Sequence, residues 1–255
     1  MKKIAIVMPA YNSEEYIEKS FLNISNGISL FPQYKFTLFP IDDASIDDTY
    51  QAFLHWGEKF KLEIRPFKNH QNLGNAVTLK KTYQSIIDTD HDAFIKTDSD
   101  ADFNQATVLE KLVPYIEGDK ELVVGVRWRI FTPEENPHEY AWREEELKIL
   151  REVFGIMGLD PPSTGSQFYK KDLLKELLSW PVVQMYDRRW SLDMLLDLLA
   201  VKLGKKFEII NIEDGAYDNS RRPKDKVDDQ YNCDIEIISL LTGEHPKELS
   251  KLYNR

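Results

Sequence analysis

The chain has a single cysteine, Cys233, among its 255 residues. That rules out an internal disulfide and any cysteine-rich zinc site, and it fits a reducing compartment. No residue pattern beside Cys233 marks it as a nucleophile, so it reads as a passive thiol. Basic charge is also short: 33 Lys and Arg stand against 43 Asp and Glu, a formal net charge of -10. Broad nucleic-acid binding wants a basic surface, and this balance argues against it. No apolar run approaches the roughly 20 residues that span a bilayer. The start, Met1 to Met8, mimics a secretory leader, but Pro9 breaks the apolar run and Tyr11 to Glu15 stand where a cleavage site would be. The expectation is a cytoplasmic protein, with peripheral contact at the inner face of a membrane left open. Repeats, low-complexity tracts and linkers are absent too, and the length suits one domain.

What is present is an alternation of strand and helix signals. Lys3 to Met8 is a continuous apolar run, the pattern of a strand buried on both faces. Asn12 or Ser13 caps a helix through about Leu22. Strands follow at Lys35 to Ile41, Leu62 to Phe67 and Asp92 to Thr97, with helices from Asp47 to Phe60 and Ala76 to Ile87 between them. Such alternation predicts a mostly parallel sheet with right-handed crossovers and a ligand beyond the carboxyl ends of the strands. Asn12, Asp42 and Asp98 all fall at such ends. Further on, helices are expected at Gln105 to Tyr115, Tyr140 to Phe154, Asp172 to Leu178, Ser191 to Leu203 and Asp234 to Leu241. Strands are expected at Leu122 to Val126, Ser166 to Lys170 and Lys206 to Ile212, and a polar loop at Asp218 to Asp229.

The fourth strand runs into Asp98-Ser99-Asp100, with Asp102 two positions on. Three carboxylates so close repel one another unless a cation sits among them. Oxygen-only ligands suit Mg2+ or Mn2+, ions that bridge to phosphate oxygens. The same residues also read as an acidic turn capping the next helix, and the triplet alone leaves both open.

Ile4 to Asn12, with its Pro-x-Tyr-Asn turn, resembles the opening strand of family 2 glycosyltransferases of the GT-A fold. Ile41-Asp-Asp-Ala-Ser-Ile-Asp-Asp-Thr49 resembles their second acidic segment, Asn72-Leu-Gly-Asn75 their Asn-x-Gly loop, and Asp98 to Phe103 their Asp-x-Asp motif. The four segments stand in the family's order, each after a strand, across about the first 105 residues. The second half resembles dolichyl-phosphate mannose synthases and related polyprenyl-phosphate glycosyltransferases, at Val124 to Arg127, at Asp160 to Lys171 and at the basic stretch Ser220 to Lys226. Gln167 stands where that family usually has arginine, and Ala101-Asp102 replaces its common Gly-Gln.

The resemblance implies a single α/β domain with a Rossmann-like, mostly parallel sheet flanked by helices. Residues 1–105 would be the nucleotide-sugar half, 106–215 the acceptor half, and 216–255 a C-terminal loop and helix. It implies Asp100 and Asp102 as direct metal ligands, with Asp98 holding the ribose, the metal's water shell or the metal itself. Pro9, Tyr11, Asn12, Glu15, Asp42, Asp43, Asn72, Gly74 and Ser99 would surround the nucleotide sugar, a GDP-mannose or UDP-hexose. Arg127, Arg143, Arg221 and Lys226 are candidates for phosphate contacts, since guanidinium and ammonium groups suit phosphate oxygens. Arg127, Arg143, Thr164, Gly165, Ser166 and Gln167 would face the acceptor. Asp193, with Asp187 in reserve, matches the family's acidic position near a helix start and would be the general base for a hydroxyl acceptor, although the helix dipole favours any acid there.

The expected activity is metal-dependent, inverting hexosyl transfer from a nucleotide-diphosphate sugar, first to a polyprenyl phosphate and alternatively to a glycan or protein hydroxyl. A sugar nucleotidyltransferase would show a Gly-rich basic loop after the first strand, and Pro9 to Glu15 has neither glycine nor a base. A nucleotide-sugar binding module without turnover is the remaining alternative.

Overall fold

A computed structural model describes residues 1–100, 104–126, 144, 147, 148, 150–152, 154, 155, 165–212 and 224–243, the side chains of 224, 226 and 227 excepted. The elements are β1 (Lys3–Ala10), α1 (Glu14–Ser29), β2 (Lys35–Asp42), α2 (Thr49–Lys59), β3 (Phe67–Lys68), α3 (Asn75–Ile86), β4 (Ala93–Thr97) and α4 (Gln105–Leu112). A 3-10 turn, Val113–Ile116, leads to β5 (Leu122–Val126). Then come β6 (Ser166–Lys170), α5 (Lys171–Ser179), α6 (Pro181–Met185), α7 (Leu192–Lys202), β7 (Phe207–Asn211) and α8 (Lys224–Thr242).

These strands form one sheet in the order β3-β2-β1-β4-β6-β5-β7. Along β1, Ile4, Ile6 and Met8 enter one core layer and Ala5 and Val7 the other, the period-2 alternation of a strand covered on both faces. Side chains of α1, α2 and α4 fill the first layer, through Ile17, Phe21, Phe53 and Leu109. Those of α3, α5, α7 and α8 fill the second, through Leu79, Leu174, Leu195 and Ile238. The pairings of β1 with β2 and β4, of β2 with β3 and of β5 with β7 are parallel. Only β6 runs against its neighbours β4 and β5.

Three boundaries differ from the sequence expectations. Helix α1 continues past Leu22 to Ser29 through a stretch rich in Asn, Ser and Gly. There Gly27 lets α1 approach α4 so closely that a Cβ would meet Leu109 at 2.9 Å. The third strand is not continuous from Leu62; it is a bridge from Ile64 to Leu38 and then the two residues of β3. The expected polar loop at Asp218 to Asp229 is helical from Lys224 on, because α8 extends to reach the α6–α7 segment. Of the expected helix at Tyr140 to Phe154, the described residues are helical. Leu150 is fully buried there and Phe154 packs beside it. That favours core packing over an interfacial face. No helix among the described residues is long and apolar enough to cross a membrane.

Candidate active site

The carboxyl ends of β1, β2 and β4 lie side by side, with Ala10 opposite Asp42 and Val7 opposite Lys96. Beyond β1 the chain turns sharply: Asn12 takes a left-handed conformation (φ 50°). Its backbone N–H donates to Ser45 Oγ (2.9 Å), and its Oδ1 accepts from Ile46 N (3.0 Å). That exchange fastens the β1 turn to the β2 turn. Pro9 is half-buried in β1 opposite Ile41, while Tyr11 leaves its ring exposed at the rim. Glu15 is exposed on α1, in an open groove shared with Glu14, Glu18, Asp47, Asp48 and His55.

The two acids after β2 differ in role. Asp42 accepts from Ser45 N (2.7 Å) and pairs with Lys68 Nζ at 3.3 Å. Asp43 is buried and its carboxylate is taken up by the protein itself. It accepts from Asn69 Nδ2 (2.7 Å), Leu73 N (3.0 Å), Thr78 Oγ1 (2.8 Å) and Gly74 N (2.8 Å). Asp43 thus shapes the 69–74 loop ahead of α3. Gly74 in that loop has φ 85° and ψ 157°, a conformation that glycine alone adopts readily. A Cβ there would lie 2.8 Å from the Arg189 backbone. Ala76 N donates to Arg189 O (2.9 Å), and Arg189 Nη2 donates to Asn72 Oδ1 (2.5 Å). The loop therefore seats the segment that leads into α7 and Asp193.

The loop after β4 is held from beneath by Gln105, whose Nε2 donates to the carbonyls of Asp98 (3.0 Å) and Asp100 (3.2 Å). Ser20 Oγ donates to Ser99 O (2.8 Å), and Ser99 is itself buried. Asp102 lies outside the described residues. Among the described residues no group of three His, Cys, Asp or Glu side chains could hold a metal unaided. Asp98 and Asp100 offer carboxylates, the donor type that Mg2+ and Mn2+ take, and such ions need only one or two of them beside phosphate oxygens and water.

Lys96 joins the two sides of the site. Its side chain is 2 % exposed, and Nζ lies 2.7 Å from Asp98 Oδ1 and 3.4 Å from Asp193 Oδ2. Burial disfavours its charge, but the carboxylates of Asp98 and Asp193 outweigh that and hold its pKa above the usual lysine value. Asp193, in the first turn of α7, keeps 19 % of its side chain exposed. Ser191, ahead of it, has φ 68°, and Leu195 N donates to Ser191 O (3.0 Å). Asp187 is exposed on the α6–α7 segment, and its charge acts on Lys80, not on Lys96. The two candidate bases thus separate, and only Asp193 adjoins the acid motif.

One helical turn beyond Asp193 lies Asp197, fully buried. Burial pushes its carboxyl pKa well above the usual range, although Tyr169 Oη donates to it at 2.8 Å. Ser166 and Gln167, expected to face the acceptor, are fully buried on β6, an interior strand between β4 and β5. Gly165, just before β6, is buried as well. Arg127, Arg143, Thr164 and Arg221 lie outside the described residues, as does the side chain of Lys226. Cys233 is buried and its thiol is pushed up to about 11 by burial and neighbouring acids, consistent with a passive role. Sequence reasoning missed Lys96, Gln105 and Asp197. For Lys96 a signal existed, since a lysine inside a strand buried on both faces needs an anionic partner.

Comparison with known proteins adds the following. The family description "Glycosyl transferase family 2" matches residues 5–178. The glucosyl-3-phosphoglycerate synthase of Mycobacterium tuberculosis superposes with a TM-score of 0.69 at 22% identity, over 96% of this chain and 82% of that one. A structure of the same enzyme with Mn2+, UDP-glucose and phosphoglyceric acid superposes with a TM-score of 0.64 at 18% identity, over 96% and 81%. These likenesses establish the fold. A dolichol-phosphate mannosyltransferase of Pyrococcus furiosus is 22% identical over 126 residues, 49% of this chain and 33% of that protein. The match thus spans about a third of that relative's length.

Proposed function

This chain belongs to glycosyl transferase family 2, and on that premise we propose that it transfers a hexose, with inversion, from a nucleotide-diphosphate sugar to the hydroxyl of a phosphorylated acceptor. It is a glycosyltransferase with the GT-A fold. The observation that carries the finer reading is the pairing of Lys96 with both Asp98 and Asp193, which sets a carboxylate from α7 beside the donor motif. A hydroxyl nucleophile needs such a base, whereas a phosphate nucleophile is already anionic near neutral pH. In the proposed step the acceptor oxygen attacks the anomeric carbon from the face opposite the diphosphate. The bond from that carbon to the diphosphate oxygen breaks, the nucleoside diphosphate leaves with the electron pair, and Asp193 takes the hydroxyl proton.

Asp98 and Asp100 would hold Mg2+ or Mn2+, with Asp102 as a third ligand. When bound, the metal neutralises charge growing on the leaving diphosphate. The donor is a UDP-hexose or GDP-mannose: the mycobacterial neighbour is seen with UDP-glucose, and the archaeal relative is a mannosyltransferase. Residues 1–105 would be the donor half and 106–215 the acceptor half. Arg127, Arg143, Arg221 and Lys226 remain the candidates for phosphate contacts. The protein would work in the cytoplasm.

A second reading keeps a polyprenyl phosphate as acceptor, at the inner face of a membrane. The dolichol-phosphate relative supports it. The test is a panel of nucleotide sugars with Mn2+, first scored for donor hydrolysis and then offered phosphoglyceric acid or a short polyprenyl phosphate. The expected outcome is hydrolysis of one donor, lost on chelation and reduced at least about 100-fold by Asp100→Ala. Turnover that survives both treatments sinks the metal assignment. Transfer to the polyprenyl phosphate that is indifferent to Asp193→Asn establishes the second reading instead.

A further inference from the structure

We infer that Lys96 is a positioning residue, which fixes Asp193 against the donor motif by binding Asp98 and Asp193 at once. The inference deepens the proposed function and rests on that reading of Asp193 as the base.

Lys96 lies on β4 between β1 and β6, opposite Val7 and Gln167, two central strands of the sheet. With 2 % of its side chain exposed it cannot touch a substrate, so any effect on turnover passes through its partners. Those partners come from distant parts of the chain. Asp98 stands on the loop after β4, whose carbonyls Gln105 already holds. Asp193 opens α7, and its approach is fixed less directly. It follows Ser191 in a left-handed conformation, and the 189 backbone rests on the Asn72–Gly74 loop. The Met194 N–H also donates to Asp193 Oδ1 (3.2 Å), which leaves Oδ2 to Lys96 (3.4 Å). One cation thus sets the separation of two carboxylates that would otherwise repel each other. An ammonium suits this task because its three donors radiate from a single atom. Misplacing a reacting group by about 1 Å can cost on the order of 100-fold in rate, so a bridge of this kind bears directly on turnover.

The experiment is a double-mutant cycle between Lys96→Met and Asp193→Asn, with Lys96→Arg as the conservative variant and Lys96→Gln as a better-solvated neutral one. Activity is read as Mn2+-dependent hydrolysis of UDP-glucose and GDP-mannose, in which water replaces the acceptor hydroxyl. The expected result is a fall in kcat of about 30-fold for Lys96→Met with donor KM within about threefold, and partial recovery in Lys96→Arg. In the Asp193→Asn background, Lys96→Met should cost less than about threefold more, because the group it positions is gone. Equal losses in both backgrounds, or a raised KM with kcat unchanged, overturn the inference. A second cycle on the same proteins measures denaturant midpoints with no donor present. Non-additive shifts support the Lys96–Asp193 contact, and additive shifts refute it. If Lys96→Met does not fold, Lys96→Gln takes its place in both cycles. If the wild-type protein turns over no nucleotide sugar, the proposed function fails while the denaturant cycle still decides the contact.

Discussion

Asp197 is fully buried, one turn along α7 from Asp193, and burial raises its pKa well above the ordinary carboxylate value. The sign of its contribution follows. A carboxyl whose folded pKa exceeds its unfolded one stabilises the fold fully only below the unfolded value of 3.8, and that stability is lost as pH rises toward the folded pKa. Asp197→Asn keeps an acceptor for Tyr169 Oη and removes the ionisation. Its stability should therefore gain on wild type between pH 4 and pH 7, by at most about 1.4 kcal/mol per pH unit. Parallel thermal melts across that range check this, and a constant difference refutes it. Residues of this sort explain what the sequence disclosed. Asp42, Asp43, Asp98 and Asp100 stood out in the sequence because each sits in a short motif at or just past the end of a strand. Asp197 did not, because its meaning lies in a contact between β6 and α7 that no local pattern encodes, and the apolar run around Lys96 signalled an anionic partner without saying which.

At the scale of elements, the coupling of loop to helix turns on Gly74. Its φ of 85° and ψ of 157° suit glycine, and a Cβ would press on the Arg189 backbone at 2.8 Å. Gly74→Ala should cost about 2–3 kcal/mol from backbone strain, with more from the clash. It should also lower donor turnover, because the displaced segment carries Asp193. Denaturant unfolding and the hydrolysis assay measure the two effects, and a stable but inactive variant would tie the loop specifically to the α7 acid. A variant with neither defect would mean that the 189 segment shifts freely. The same close packing explains why element boundaries were only partly legible. Most strands and helices were found from apolar runs and periodicity. The end of α1 was missed because Asn23, Ser25, Asn26 and Gly27 are poor helix formers, and the α1–α4 contact through Gly27 and Leu109 overrides that preference. The reversed direction of β6 was not legible, since a five-residue strand carries the same pattern in either orientation.

At the scale of the whole molecule, the sheet order decides whether the two halves proposed from the sequence are separable. Strand β4 lies within residues 1–105, yet its far edge is paired along its whole length with β6, Ala93 opposite Lys170 through Thr97 opposite Ser166. Tyr83 and Phe94 pack at ring distance, and Tyr83 meets Tyr169 across the same boundary at 6.4 Å. On the other face α4 covers α1 with Val108, Leu109 and Leu112, all fully buried. A fragment of residues 1–105 would lose those three side chains and the cover that Phe168, Tyr169, Leu173 and Leu174 supply. Each such side chain is worth about 1.5–3 kcal/mol of burial. Seven of them amount to as much as or more than the roughly 5–15 kcal/mol that holds a typical domain folded. The fragment should therefore lack near-UV circular dichroism and amide dispersion, while the full chain unfolds with coincident near-UV and far-UV transitions. A folded, nucleotide-binding fragment would show the donor half to be an independent unit. The paired edge of β4 argues for the opposite, a single cooperative body in which Asp193 on α7 and the acids after β4 are positioned by the same core.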